Sequence, residues 1–290
     1  MRAEVYFDQV HAYYYAAPDD KQDQVEYSLL IVHGIGGHGG TYDVFCEPLS
    51  QSGVNVYSMD LRGHGKAANE NGIWRFEEWL GDMDHAAKEM LRRHPGKPVF
   101  ALGSSLGAGA AFHVLAVSDA ISGAVLMGMA SLHESPPKLG SVAGGLYRIH
   151  NTPEAHTIAE EFGDADSHKY DLVNVLDWNK NYAANDPDIL KKKQADKLRA
   201  WKYGYASMHS YWTYIPPIPP ALNSKPVLAS CGEDDLITPY DYVKNAVSQI
   251  GGPVSVEIVP KGTHQLMLYH TDVYIPIVDG WIRRQVGAMD

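Results

Sequence analysis

The stretch VFALGSSLGAGAAFHVLAV, residues 99–117, decides how this chain folds. An apolar run of the buried-strand type passes into two serines fenced by Gly103 and Gly107, and a small-residue helix follows at once. A joint this abrupt leaves no room for side chains at 103 and 107, which accounts for the glycines. Close packing of a helix on a sheet would account for them as well. The pattern also fits G-x-S-x-G with Ser105 at its centre. A strand before it and a helix after it are the surroundings in which such a serine stands at a sharp, exposed turn. The helix N-terminus adds free N–H groups and partial positive charge beside the hydroxyl.

Working outward, SLLIVH (28–33), VNVYSMD (54–60), ISGAVLMG (121–128) and PVLASC (226–231) have the continuous apolar character of strands buried on both faces. EVYF (4–7) and VHAYYYAA (10–17) form two further strands about a turn at Asp8 and Gln9, and VSVEIV (254–259) is a late strand. Helical segments alternate with them: 41–53, then 76–94 with an apolar stripe of Trp79, Met83, Ala87 and Leu91, then 241–250 and 271–286. This alternation predicts an α/β fold with a mostly parallel central sheet flanked by helices.

Residues 133–222 interrupt the rhythm. Their composition shifts to Tyr, Trp, His, Lys and Pro, and HTIAEEF (156–162) and 186–212 read as helical before a stiff IPPIPP tether (215–220). The predicted organisation is a core in two parts, 1–132 and 223–290, with a mainly helical cap at 133–222 inserted after the sixth strand. The cap carries ten Tyr and Trp residues.

A serine hydroxyl is a weak nucleophile until a base takes its proton, and the base needs an orienting carboxylate. PVLASCGEDDLITP (226–239) places Asp234 and Asp235 just past a strand end, and either could be that carboxylate. His264, in the loop of EIVPKGTHQLML (257–268), supplies the imidazole, and Ser, Asp, His is the chain order found with this motif. LIVHGIGGHGG (30–40) ends a buried strand in glycines that free the N–H of Ile35 to join that of Leu106 as an oxyanion hole. Such donors are worth roughly 3–4 kcal/mol each to a transition state. The same glycines lack the Gly-Lys-Ser/Thr ending of a phosphate loop, and no acidic ribose partner accompanies them. His33, His38 and His64 offer neither an i, i+4 pair nor a clustered carboxylate, so no metal and no cofactor is expected. His33 reads as a buried ring bonded to loop backbone, and Asp60 and Arg62 as braces for the DLRGHGKA loop (60–67).

Composition narrows the partners. With 24 basic and 35 acidic residues the net charge is −11, which disfavours nucleic acid and anionic membrane surfaces. No apolar run is long enough to cross a bilayer, so no stable membrane insertion is expected. Two cysteines are too few for a disulfide framework. The opening residues alternate as a strand and lack the layout of a secretory signal, so a cytoplasmic location is expected.

Taken together, these motifs resemble the α/β-hydrolase family, in particular its monoacylglycerol lipase and lysophospholipase-like branch. HGIGGHGGTYD (33–43) is similar to the branch's His-Gly loop, DLRGHGKA to its Asp-x-Arg-Gly-His-Gly loop, and NYAANDP (181–187) to a segment of its cap. The resemblance implies Ser105 as nucleophile, Asp235 as acid, His264 as base, and Ile35 and Leu106 as oxyanion donors. Ser104 departs from the branch, which usually has histidine there. The expected reaction is cofactor-free hydrolysis of a carboxylic ester through an acyl-enzyme, with a small-molecule ester as partner and a monomer or homodimer as the working unit. His33, Gly34 and Ser104, with Tyr205 and Trp212 of the cap, are expected to contact a medium-sized, partly apolar substrate: a monoacylglycerol, a short-chain or aryl ester, or a lactone. The alternatives are the same triad acting on amide, carbamate or C–C bonds, or a ligand receptor with little turnover.

Overall fold

A computed structural model describes residues 2–129, 132, 169–174, 178 and 188–289 of the chain. Its centre is an eight-stranded sheet of β1 (Arg2–Phe7), β2 (Val10–Tyr15), β3 (Ser28–Val32), β4 (Asn55–Met59), β5 (Val99–Ser104), β6 (Ile121–Met127), β9 (Val227–Gly232) and β10 (Val254–Val259). The spatial order is β1-β2-β4-β3-β5-β6-β9-β10. β1, β2 and β4 pair antiparallel, and every pairing from β4 through β3, β5, β6 and β9 to β10 is parallel. The inner strands β3, β4, β5 and β9 are buried along their whole length, as a parallel strand covered on both faces must be.

Side-chain alternation divides the core into two layers. Leu30, Val32 and Ala101 point to the face covered by α2 (Phe76–Arg93), α3 (Leu106–His113) and α6 (Tyr240–Val247), and α1 (Asp43–Gln51) lies on the opposite face. Leu29, Ile31, Phe100 and Leu102 point the other way, against α1, the short α7 (Leu266–Tyr269) and α8 (Thr271–Val286). On α2, Trp79, Met83 and Ala87 are buried as expected, but Met90 replaces Leu91 at the end of the stripe. Four-residue steps drift roughly 40° around a helix of 3.6 residues per turn, so the third step shortens to three residues.

The described residues 188–212 differ from the helical reading of that stretch. They hold α4 (Ile189–Ala195) and α5 (Tyr205–Trp212), separated by a break and by β8 (Lys202–Gly204). Asp196 ends α4 by turning extended, and its carboxylate accepts from the Leu198 N–H at 3.0 Å. β8 then pairs antiparallel with β7 (Lys169–Asp171) in a two-stranded sheet. α5 docks on the start of α2: Ser210 Oγ accepts from the Phe76 N–H at 3.0 Å, filling a position no intrahelical acceptor can reach. HTIAEEF, NYAANDP and the cap residues Tyr147 and Tyr182 lie outside the described residues.

Candidate active site

β5 runs into α3 through Ser105, whose backbone is forced to φ 55° and ψ −115°, a conformation rare for any residue but glycine. The flanking glycines are sterically obligatory. A Cβ on Gly103 would lie 2.0 Å from the Gly107 carbonyl oxygen, and one on Gly107 would lie 2.4 Å from that of His33. The turn is therefore pressed against the strand below it and the end of β3 beside it. The Ser105 N–H donates to the Met127 carbonyl at the end of β6 at 2.7 Å.

The loops after β9 and β10 bring two buried groups to that same strand end. His264 Nδ1 lies 2.8 Å from Asp235 Oδ2, with both side chains nearly inaccessible. Asp235 Oδ1 accepts from the N–H groups of Ile237 and Thr238, each at 2.8 Å, and Oδ2 accepts from Thr238 Oγ1 at 2.7 Å. Burial alone would push this carboxyl up; its contact with His264 and the bonds from Thr238 hold it below the usual carboxylate range. An ionised carboxylate only accepts, so Nδ1 carries the proton and Nε2 of the neutral ring is the basic nitrogen. Asp234, the other candidate, is exposed and contributes its N–H to the Gly262 carbonyl. The imidazole packs on Gly128, where an added Cβ would come within 2.9 Å of His264 Cε1. Ser105 and His264 thus converge on two consecutive residues, Met127 and Gly128.

The glycine loop after β3 lies against the Ser105 turn: a Cβ on Gly34 would be 2.9 Å from the Ser104 carbonyl oxygen and 3.1 Å from Ser105 Cβ. His33 is the buried ring bonded to loop backbone that the sequence suggests, and both ring nitrogens are taken up there rather than left for the substrate contact also expected of it. Its Nε2 accepts from the Leu61 N–H at 3.1 Å, which leaves Nδ1–H to donate to the Gly34 carbonyl at 2.9 Å. That carbonyl also accepts from Gly37 N–H at 3.0 Å. The Gly34–Ile35 peptide is held by its oxygen, and the Ile35 N–H projects from the opposite edge. Among the described residues, neither this N–H nor that of Leu106 has an acceptor. Burial, aided by the neighbouring His64, holds the His33 imidazole well below its ordinary pKa, so the ring stays neutral.

Asp60 ties the loops together by accepting from the N–H groups of Gly39 and Lys66 at 2.5 and 2.7 Å, with His11 Nδ1 at 2.8 Å. Arg62 braces the same turn through a two-point contact with Asp82 at 2.7 and 3.0 Å.

The remaining predicted contacts are distributed differently. Ser104 is wholly buried on the Phe100 and Leu102 face of β5, and its hydroxyl has no partner among the described residues. Tyr205 packs on Tyr170 with ring centroids 5.2 Å apart, and Trp212 on Tyr211 at 5.0 Å. Among the described residues of the interrupting segment, the aromatic side chain that bonds to the glycine loop is that of Tyr203, whose hydroxyl accepts from the Gly36 N–H at 2.7 Å. His38 makes a second link to the same segment, 2.8 Å from Asp196.

The chain belongs to the serine aminopeptidase S33 family (Hydrolase_4), whose model matches residues 23–270, and its architecture is the α/β-hydrolase fold. It is 30% identical over 158 residues to a monoglyceride lipase homolog of Monkeypox virus, an alignment covering 50% of this chain and 56% of that protein. The chain spans about half the length, or less, of the curated relatives it matches. Among solved structures, a soluble variant of the Saccharomyces cerevisiae monoglyceride lipase, in complex with a substrate analog, superimposes with a TM-score of 0.74 at 17% identity, covering 97% of this chain and 94% of that one. The Paleococcus ferrophilus monoacylglycerol lipase gives 0.71 at 20% identity over 94% and 97%.

Proposed function

We propose that the chain is a cofactor-free serine hydrolase that cleaves a carboxylic ester of a medium-sized, partly apolar substrate through an acyl-enzyme. The observation that carries this reading is the buried Asp235–His264 pair at 2.8 Å, seated on the residue next to the one that anchors the strained Ser105 turn. Ser105 Oγ attacks the acyl carbonyl while His264 Nε2 takes its proton. Asp235 holds the ring in the required tautomer and stabilises the imidazolium. The N–H groups of Ile35 and Leu106 receive the oxyanion. His264 then protonates the leaving alcohol, and the same nitrogen activates the water that releases the acid.

Residues 133–222 act in this reading as the cap that selects the substrate. The names of the relatives favour a monoacylglycerol, with short-chain and aryl esters as smaller members of the class. No helix among the described residues is long and apolar enough to cross a membrane, in keeping with a cytoplasmic enzyme and a diffusing ester.

The test pairs a fluorophosphonate label with p-nitrophenyl esters of rising chain length. Wild type should be labelled at Ser105 and should hydrolyse the esters, whereas Ser105→Ala should lose both the label and turnover while still binding a non-hydrolysable ester analogue. A folded wild type that takes no label, or a variant that keeps full activity, overturns the assignment. Matched ester and amide substrates report which bond class is preferred.

A further inference from the structure

Tyr203 is one of ten Tyr and Trp residues in the inserted segment, and among the described residues it is where that segment bonds to the glycine loop's backbone. Its side chain is wholly buried. The Gly36 N–H donates to its oxygen at 2.7 Å, and the hydroxyl meets His64 Nε2 at 2.5 Å. On the far side of that ring, His64 Nδ1 lies 3.2 Å from the Arg62 carbonyl oxygen. A carbonyl only accepts, so Nδ1 carries the proton and Nε2 is an acceptor. That fixes the direction of every bond in the series. Gly36 N–H donates to the tyrosine oxygen, the tyrosine O–H donates to His64 Nε2, and His64 Nδ1–H donates to the Arg62 carbonyl.

The geometry of the loop gives this series a purpose. Gly36 has φ +66°, and its peptide N–H is one residue beyond that of Ile35. Ile35 lies between two peptide planes. The one before it is held at the Gly34 oxygen by His33 and Gly37. The one after it is held at the Gly36 N–H by Tyr203 alone among the described residues. Without the second hold, the Ile35–Gly36 peptide is free to rotate, since glycine at 36 offers no steric resistance. Rotation there does not turn the Ile35 N–H, which lies in the preceding plane, but it displaces Gly37, whose N–H helps hold that plane at the Gly34 oxygen. Tyr203 is itself fixed against the first part of the core: the Gly204 N–H donates to the Gly72 carbonyl at 3.1 Å, and the Tyr203 ring meets that of Trp74 at 5.8 Å.

We propose that Tyr203, backed by His64, is a positioning residue for the oxyanion hole: it fixes the peptide after Ile35 so that the Ile35 N–H is aimed before substrate arrives. The inserted segment would thereby set the loop that stabilises the transition state as well as shape the pocket. This rests on the ester-hydrolase reading above, and the experiment separates the two.

The variant is Tyr203→Phe, which keeps the ring against Trp74 and removes only the hydroxyl. Wild type and variant are compared for kcat and KM on a p-nitrophenyl ester, and for inhibition by a trifluoromethyl ketone that forms a charged tetrahedral adduct. The expected result is a fall in kcat of about ten-fold or more with KM within two-fold, and a matching loss of ketone affinity. Binding of the carboxylic acid product should not change. A kcat within two-fold of wild type, or equal losses for product and ketone, overturns the proposal. Amide hydrogen exchange in the wild-type protein needs no variant and covers the case in which Tyr203→Phe does not fold. The Gly36 N–H should be protected and the Ile35 N–H should exchange fast, and an unprotected Gly36 refutes the hold. Failure of wild type to take the fluorophosphonate label defeats the hydrolase reading instead and leaves the exchange result to judge the hydrogen-bond series.

Discussion

Replacing Asp235 by asparagine should cost far more activity than its nearly identical shape implies, and the surrounding bonds say why. Two backbone donors, the N–H groups of Ile237 and Thr238, converge on Oδ1 at 2.8 Å each. An asparagine must keep its carbonyl oxygen there, because turning the amide would set its NH2 against both, at about 1–3 kcal/mol for each unsatisfied buried donor. The NH2 is then forced into the place of Oδ2, 2.8 Å from His264 Nδ1. Two donors cannot share that contact, so the ring must move its proton to Nε2, the nitrogen that has to accept from Ser105. Burial of the pair excludes bulk water as a substitute acceptor. The loss expected for a base locked in the wrong tautomer is about 10⁴-fold in kcat, or about 5 kcal/mol of transition-state stabilisation. Steady-state hydrolysis of a p-nitrophenyl ester and the rate of fluorophosphonate labelling should fall together while the melting temperature changes little. Activity within ten-fold of wild type would show that Asp235 does not set the tautomer.

Stability should fall on mild acidification. Burial lowers the His64 pKa to about 4, against an ordinary value of 6.5. The unfolded chain therefore takes up a proton near pH 6.5 that the folded chain refuses until about pH 4. The advantage of the neutral ring is complete above pH 6.5 and declines as pH drops toward 4, by about 3 kcal/mol. His33, also held low by burial, adds to the loss in the same direction. Urea unfolding at pH 7 and pH 4.5 checks this, and an unchanged midpoint would refute it. At position 104 the buried hydroxyl lacks a partner among the described residues, so Ser104→Ala should be neutral or stabilise the protein by about 1 kcal/mol, with KM unaltered. A raised KM would return Ser104 to the substrate contacts expected from the sequence.

What could be read from the chain, and what could not, follows the range over which each constraint acts. The Ser105 turn was legible because its cause is local: glycines two residues on either side, an apolar strand before and small residues after. In the structure a Cβ added at Gly103 or Gly107 would come within 2.0 or 2.4 Å of a backbone oxygen. The local pattern left Asp234 and Asp235 open and only the family resemblance pointed to Asp235, since two neighbouring acids in one turn differ only in which way each side chain faces. That is decided by the bonds from Ile237 and Thr238 to Asp235, and by His264, 29 residues away. Tyr203 was hidden for a different reason. KYGYASMHSYW reads as the continuation of a helix, and within a helix Tyr203, Tyr205 and Tyr211 are equivalent aromatic contributors. The break that sets Tyr203 apart comes from pairing between β7 and β8, separated by 30 residues, and from the Gly204–Gly72 bond to the core. Neither leaves a local period in the sequence. The segment where the helical reading fails is also the one that reaches the glycine loop, through Tyr203 at Gly36 and Asp196 at His38. A continuous helix there would have turned successive side chains by about 100° and offered no extended run to lay against the loop. Functional contact and departure from regular structure have the same cause: the chain gives up helical hydrogen bonds to set one hydroxyl beside one peptide.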